Sequence, residues 1–297
     1  MAAAKWHRLA RGMSISVRAF VVAAVSCLAS LGWFAEGASA QGSSAADLAQ
    51  KAQDPLADIT ALMTDNTIGF NQGLGGDTGY NFQLQPVKSF DTPYGFRLIP
   101  RAIIPIVGAP VGSNFAFLGE LGGEPVIGPT STSTTWGLSD TMVQVFVAPQ
   151  TTGSVKWGVG PQASLETHTD SDLKGPSWGA GVAAVIFGSA GNISWGGVAN
   201  QHWGDDGNFS VLGVQPILFY NFESLPGAYL GYNNTITADW EALSGDRWTV
   251  PLGLSAGKTF PVGEGSAVDL SVGGYRLVAR PDGAPDWQLK VGISLIQ

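Results

Sequence analysis

The sequence predicts an all-β fold: a transmembrane antiparallel up-and-down β-barrel of about 12 strands that follows a short N-terminal helix. Only 13% of the residues are charged, about half the usual fraction, and 41 of the 297 residues are glycine. Apolar and polar residues alternate over many segments of roughly ten residues, the length that a tilted strand needs to cross a bilayer. After residue 40 there is no apolar run long enough for a membrane-spanning helix.

The first 40 residues have the pattern of a secretory signal peptide. Basic residues precede an apolar run at 19–34, and the small residues at 38–40 form a cleavage site before Gln41. The alternative is an N-terminal membrane anchor, but the run is shorter than the roughly 20 residues of a spanning helix. Without residues 1–40 the chain keeps 11 basic and 22 acidic residues and no cysteine. This balance argues against a nucleic-acid partner and excludes disulfides.

The segment 41–78 is predicted to be a polar leader that contains a short helix and a glycine-rich loop. Asp54 can cap a helix at 54–64 with Pro55 in its first turn, and the loop covers 69–79. One stripe of this helix is apolar, with Leu56, Ile59, Leu62 and Met63. Because so short a helix is not stable in water alone, we expect it to lean on the barrel rim or lumen.

The barrel is predicted to occupy 79–297. Eleven alternating segments can be read, at 80–88, 96–106, 141–147, 155–166, 178–187, 192–202, 209–221, 229–241, 247–259, 267–278 and 286–296. Bacterial barrels have an even number of strands, so one more is expected, within 112–128. A soluble sandwich also alternates, but its polar face is rich in charges. Here the polar faces carry mostly amides, hydroxyls and glycine, which favours a narrow lumen.

Trp-Gly pairs recur at 136, 157 and 178, each 21 residues after the last. If this spacing were one hairpin, successive tryptophans would return to similar heights. Tryptophan favours the membrane interface, so an interface aromatic belt is predicted, the alternative being coincidence in a tryptophan-rich chain. The belt residues are Trp136, Trp157, Trp178, Trp195, Trp240, Trp248 and Trp287.

Several polar residues fall on the predicted inner faces. They are Arg97, Arg101, Asp140, Gln144, Lys156, Glu166, Asp239 and Glu241, the candidate lumen-lining residues, together with Lys258. Charges at membrane depth must face a lumen or one another, so they indicate either a polar pathway or a salt-bridged plug. Arg97 and Arg101 share one face, and each is expected to have an acid nearby.

No catalytic, cofactor or metal site is predicted. Residues 253–257 match Gly-x-Ser-x-Gly and 179–184 imitate a dinucleotide loop, but both lie inside continuous strands, where neither motif works. His168 and His202 have aspartates nearby without a known ligand spacing. We therefore expect no enzyme and no cofactor, although a barrel-embedded hydrolase centred on these histidines stays open.

Many short phrases resemble a family of proteobacterial outer-membrane proteins that are often labelled transporters. The phrases are LQPV at 84–87, RAIIPI at 101–106, KWGVGP at 156–161, WGAG at 178–181, NQHW at 200–203, QPIL at 215–218, YNF at 220–222, TADWE at 237–241, RWTVPLG at 247–253, RPDG at 280–283 and DWQL at 286–289. Some members are labelled neuromedin U, and the family is related to barrel proteins of the meta-pathway for phenol degradation. The resemblance covers about 54–297 and implies an outer-membrane barrel that passes small hydrophobic or aromatic compounds.

The expected function is passive passage of a small solute through the lumen, with the helix at 54–64 as a gate. The expected partners are outer-membrane lipid, an unidentified small solute and the barrel assembly machinery, and the expected location is the outer membrane. A non-conducting structural barrel is the alternative.

Overall fold

The computed structural model describes residues 44–73, 75–121, 124–150, 153–263 and 265–297, and between 112 and 132 it describes backbone alone. The predicted signal peptide, residues 1–40, lies outside the described residues. No helix in the described part of the chain is long and apolar enough to cross a membrane.

The described residues form one α-helix, α1 (Ala45–Gln53), one 3₁₀ turn (Ser171–Leu173) and fifteen strands in a single antiparallel sheet. The strands are β1 Thr60–Gln72, β2 Asp77–Lys88, β3 Phe90–Asp91, β4 Phe96–Leu121, β5 Glu124–Leu138, β6 Thr141–Pro149, β7 Val155–Leu165, β8 Gly179–Ala190, β9 Ile193–Gly204, β10 Ser210–Asn221, β11 Ala228–Tyr232, β12 Ile236–Asp239, β13 Trp248–Pro261, β14 Ala267–Ala279 and β15 Trp287–Ile296.

The sheet closes on itself as a barrel with 12 strands in its wall. β1 pairs with β15 along ten residues, from Ala61 opposite Ile296 to Phe70 opposite Trp287. β5 and β6 pair in turn with β4 and make one interrupted wall strand, as β11 and β12 do between β10 and β13. Closure leaves no free sheet edge, so the wall satisfies its own backbone hydrogen bonds. The predicted fold class is confirmed.

The structure corrects the prediction for the segment before residue 79. The helix lies earlier, at α1, and 60–72 form β1 instead of the end of a helix and part of a loop. Threonine and isoleucine favour strands, and β1 finds partners on both sides, β2 and β15. Tertiary pairing therefore outweighs the apolar stripe that suggested a helix.

The twelfth wall strand is β1, so the extra strand expected within 112–128 is wrong. That region holds the far ends of β4 and β5, which pair with each other as a hairpin longer than the rest of the wall. Its register shifts at three places between Gly112 and Gly119. The eleven other predicted segments all overlap wall strands.

Side chains alternate between the two faces of the wall. On β13, Leu252 and Leu254 point outward and are 63% and 57% exposed, whereas Ser255 points inward and is 4% exposed. On β15, Leu295 is half exposed and Ser294 is buried. A wide apolar band on the outside of a closed sheet is what a barrel in lipid requires and what a soluble protein avoids.

The two ends of the barrel are named here by the chain. The terminal end is where β1 begins and β15 ends, and the loop end is the opposite one. The connections at the loop end include 166–178, 205–209, 240–247 and 280–286.

Candidate functional site

Residues 44–58, called the plug, lie inside the terminal end of the barrel, where they contact β4, β7, β10, β13 and β14. The helix of the plug, α1, is capped by Ser44, whose hydroxyl accepts the backbone N–H of Asp47, while the Asp47 carboxylate accepts the backbone N–H of Ser44. This capping box starts the helix, and burial of Leu48 and Ala49 at 2% and 0% exposure holds it in place.

Two polar contacts fix the plug to the inner wall. Gln53 and Asn221 exchange amide hydrogen bonds of 2.9 and 3.2 Å. The Lys156 ammonium donates to the Asp54 carboxylate at 2.5 Å, and this carboxylate also accepts the backbone N–H of Leu56. Lys156, a candidate lumen-lining residue, is therefore part of the contact between the wall and the plug.

Leu56 anchors the plug in an apolar cluster. Its side chain is 2% exposed. The cluster is completed by Ile99, Phe146, Ala148, Ala183, Val185, Phe187, Val198, Ile217, Phe219 and Tyr229. Burial of a leucine in such surroundings stabilises by about 2–3 kcal/mol. This part of the lumen wall is thus an apolar pocket, called the Leu56 socket. The sequence did not predict it, because the inner faces were read as mostly amides, hydroxyls and glycine.

Arg97 binds the end of the plug to the wall through ion pairs. Its guanidinium lies 3.1 Å from Asp58 and 2.6 Å from Asp91, which belongs to the β2–β4 connection. The hydrogen bond from Arg97 lowers the pKa of Asp91. The expectation that Arg97 has an acid nearby is met, by two of them.

Above the plug lies a small inner chamber of about 160 Å³. Its two sides differ in chemistry. Away from the polar residues Gln85, Arg101 and Gln215, the side formed by β2, β4, β6, β9 and β10 is apolar, with Val87, Ile99, Phe146, Val198, Ile217 and Phe219. The side formed by β13, β14 and β15 is polar, with Ser255, Asp269, Ser271, Lys290 and Ser294. Asp269 accepts hydrogen bonds from Tyr229 and Thr259 at 2.8 and 2.6 Å.

The inner chamber borders a wider space above it, and the band of wall between the two is called the neck. Six residues line both compartments: Asp65, Gln85, Arg101, Val198, Gln215 and Lys290. Lys290 forms an ion pair of 2.9 Å with Asp65. Arg101 donates to the Gln85 side chain, and its Nε has no hydrogen-bond partner. Two cations therefore face one carboxylate at the neck.

The space between the neck and the loop end, called the vestibule, has a volume of about 570 Å³. Its described lining carries charge only at the neck. Above the neck the wall presents side-chain amides, at Gln72, Asn81, Gln83, Gln144, Asn200, Asn234 and Gln288. This matches the amide-rich inner faces that the sequence predicted.

The structure distributes the remaining candidate lumen residues differently. Arg101 and Gln144 lie on the inner wall, as predicted. Glu166 and Glu241 are exposed in connections at the loop end, because their strands end before them and alternation no longer applies. Asp239 ends β12 and accepts the backbone N–H of Glu241. Lys258 was predicted to face inward, and this is wrong: it shares the outer face with Leu254 and lies over the Phe260 ring at 5.2 Å.

Asp140 is a hub between β5 and β6 and does not line the open lumen. Its buried carboxylate accepts backbone N–H groups from Thr167, His168, Gly175 and Ser177 at 2.7–3.1 Å, and lies 2.7 Å from Nδ1 of His168. It thereby ties the 166–178 connection to the wall. No group of three or more possible metal ligands occurs among the described residues.

His202 lies in a different, buried hydrogen-bonded chain. Its Nε2 is 2.9 Å from the Ser164 hydroxyl and its Nδ1 is 3.2 Å from the Gln162 amide, which in turn bonds Gln144 at 2.6 Å. Ser164 and His202 are 1% and 2% exposed. These hydrogen bonds therefore link side chains of β6, β7 and β9 on the inner wall. The spacing of the residues in the sequence did not predict this link.

The tryptophans predicted to form a belt lie on the outer face at two different heights. Trp157 and Trp195 lie near the terminal end, whereas Trp136 and Trp178 lie near the loop end. The expectation of similar heights is wrong, because 21 residues correspond to one wall strand with its connection rather than to a hairpin. The remaining belt tryptophans, Trp240, Trp248 and Trp287, are also near the loop end, and all seven are 36–54% exposed.

The chain matches no family model and no curated protein. Among solved structures it is similar to an outer-membrane channel from Pseudomonas putida F1, with a TM-score of 0.54 and 13% identity over 81% of this chain and 96% of that one. Outer membrane phospholipase A from Escherichia coli gives a TM-score of 0.41 and 12% identity over 85% and 97% of the two chains. The first likeness, at so low an identity, is one of fold: the chain is a closed β-barrel of the outer-membrane type.

Proposed function

We propose that the chain, without residues 1–40, is an outer-membrane channel for small solutes, hydrophobic or aromatic ones among them. The observation that carries the proposal is the succession of cavities inside the barrel: the vestibule and the inner chamber share six lining residues, and the inner chamber lies against a plug made of one short segment. The apolar side of the inner chamber supports passage of solutes with apolar groups, as the family resemblance implies. The channel of Pseudomonas putida F1 has the same kind of fold.

Passage requires the plug to move. Its main contacts with the wall are the Leu56 socket, the Gln53–Asn221 amide pair and the ion pairs of Asp54 and Asp58. The burial of Leu48 and Ala49 adds to these contacts, and of the two ion pairs only the one between Arg97 and Asp58 has an exposed carboxylate and adds little. The displaced plug is then a minor state that the barrel can reach without unfolding.

Solute flux into liposomes tests the proposal. We expect low flux through the chain with its plug and at least severalfold higher flux when residues 44–58 are deleted. Leu56→Asp is a second variant, because it weakens the plug without shortening the chain. Leu243→Asp, at an exposed position of the 240–247 connection, is the matched control. If neither plug variant passes arabinose or benzenesulfonate, neither of which crosses lipid readily by itself, the non-conducting structural barrel replaces the channel.

We further propose that the barrel is not an enzyme. A nucleophile must reach its substrate, whereas Ser164 and His202 are both buried between wall strands. Their hydrogen bond is then a structural link. Hydrolysis of a short-chain ester by the purified chain that disappears in both Ser164→Ala and His202→Ala would contradict this.

A further inference from the structure

The vestibule has the volume and the polar lining of a small-molecule binding site. Its volume of about 570 Å³ lies in the usual range for small-molecule pockets. It lies on the loop-end side of the neck, so a solute can occupy it while the plug stays in place. We propose that the vestibule binds a small hydroxylated carboxylate, such as a sugar acid, through Arg101 at the neck. The proposal deepens the proposed function by naming a solute class, and only its link to passage rests on that function.

Charge at the neck favours an anion. Arg101 and Lys290 face only one acid, Asp65, and the rest of the described vestibule lining is uncharged. Lys290 is engaged by Asp65 at 2.9 Å, whereas Arg101 has a neutral partner, Gln85. The Arg101 guanidinium keeps its charge at any physiological pH. Inside a lumen walled by protein, where the effective dielectric constant is below that of water, this uncompensated cation attracts a carboxylate more strongly than it would in bulk water.

Two unsatisfied atoms define the rest of the ligand. Buried Nε of Arg101 has a hydrogen to donate and no acceptor, and buried Oδ1 of Asn81 can accept and has no donor. Both residues line the vestibule. Both atoms are closed to solvent in the structure, so a ligand reaches them only when these side chains turn toward the vestibule, and their unmade hydrogen bonds then favour that contact. A carboxylate accepts hydrogen bonds from the guanidinium. Hydroxyl groups donate to Asn81 and form hydrogen bonds with the surrounding amides.

Calorimetric titration of the full chain in detergent tests the proposal, with D-gluconate as probe. D-sorbitol is the matched neutral probe, since it carries a hydroxymethyl group in place of the carboxylate. We expect gluconate to bind at least about tenfold more tightly than sorbitol. Arg101→Gln should weaken gluconate binding by about tenfold or more, because a charge-assisted hydrogen bond is lost. Asp65→Asn should strengthen it severalfold, because Lys290 is freed and a repulsive carboxylate removed.

Arg276→Gln is the matched control. This arginine lies on the outer face, over the Trp287 ring, and should not affect binding. Equal affinities for gluconate and sorbitol, or an Arg101→Gln variant that binds gluconate as the unchanged chain does, would overturn the site. Heat-dependent gel migration shows that each variant has folded. Gluconate binding without flux through either plug variant would refute the channel but keep the site, whereas flux without gluconate binding would do the reverse.

Discussion

At the scale of the residue, single acids organise regions that the sequence left undefined. Asp140 was predicted to line the lumen because it lies on the inner face of a strand pattern. In the structure this pattern breaks at residues 139–140, between β5 and β6, and the carboxylate collects four backbone N–H groups of the 166–178 connection. Alternation gives the side of the wall on which a residue lies, but it does not show which distant connection the residue will bind.

Replacing Asp140 by alanine should release this connection while the barrel remains closed. Loss of the charge-assisted bonds lowers the free energy of local opening by about 2–4 kcal/mol. Trypsin should then cut after Lys174, within the connection, about a hundredfold faster than in the unchanged chain. Glu241→Gln, an exposed acid in another connection, is the control, and equal resistance of both variants would contradict the role of Asp140.

The Arg97–Asp91 contact makes a prediction about pH. Arg97 lowers the pKa of Asp91, so this contact stabilises the folded chain above the ordinary pKa of about 3.9 and is lost as pH falls through the lowered value. Arg97→Gln should therefore raise the pKa of Asp91 toward 3.9 in a carboxyl NMR titration. Asp206 is the internal control, because its pKa is lowered mainly by the backbone N–H of Asn208 and should not move. An unchanged pKa of Asp91 would contradict the contact.

At the scale of the element, alternation was enough for eleven of the twelve wall strands. β1 was not predicted as a strand, because its outer face carries Thr64 and Asn66, which break the apolar pattern. Their side chains bond each other at 2.8 Å and the backbone carbonyls of Ile293 and Val291 on β15. These hydrogen bonds depend on the neighbouring strand β15, which is more than 200 residues away in the chain. The helix was predicted at 54–64 rather than at α1 for a related reason. Its capping box at Ser44 lies in a stretch whose composition alone indicates only a polar leader.

The plug should act as a gate that can be locked. The Gln53 and Asn221 side chains touch, and the chain after residue 40 contains no cysteine. Gln53→Cys combined with Asn221→Cys, joined by a short bis-maleimide, should abolish channel opening in planar bilayers. Lys51→Cys with Asn221→Cys is the control, because Lys51 lies on the exposed side of α1 and should not cross-link. Opening that continues after complete cross-linking would show that the plug is not the gate.

At the scale of the whole molecule, the sequence indicated an amide-lined lumen but not its compartments. The neck joins Asp65 of β1, Arg101 of β4 and Lys290 of β15, which are far apart in the chain and meet only because β1 pairs with β15. Of these three, only Arg101 was a candidate, because Asp65 lay beside a segment read as helix. Closure of the sheet, a long-range property, creates the neck and both chambers.

The central claim is that the closed sheet lies in the outer membrane with its apolar face toward lipid. Gel migration of the protein from the outer-membrane fraction, with and without boiling in detergent, tests it most directly. We expect the unboiled protein to migrate faster than the boiled one, because a closed barrel stays compact in detergent until heated. Recovery of the protein in the soluble periplasmic fraction, with the same migration before and after boiling, would contradict the claim.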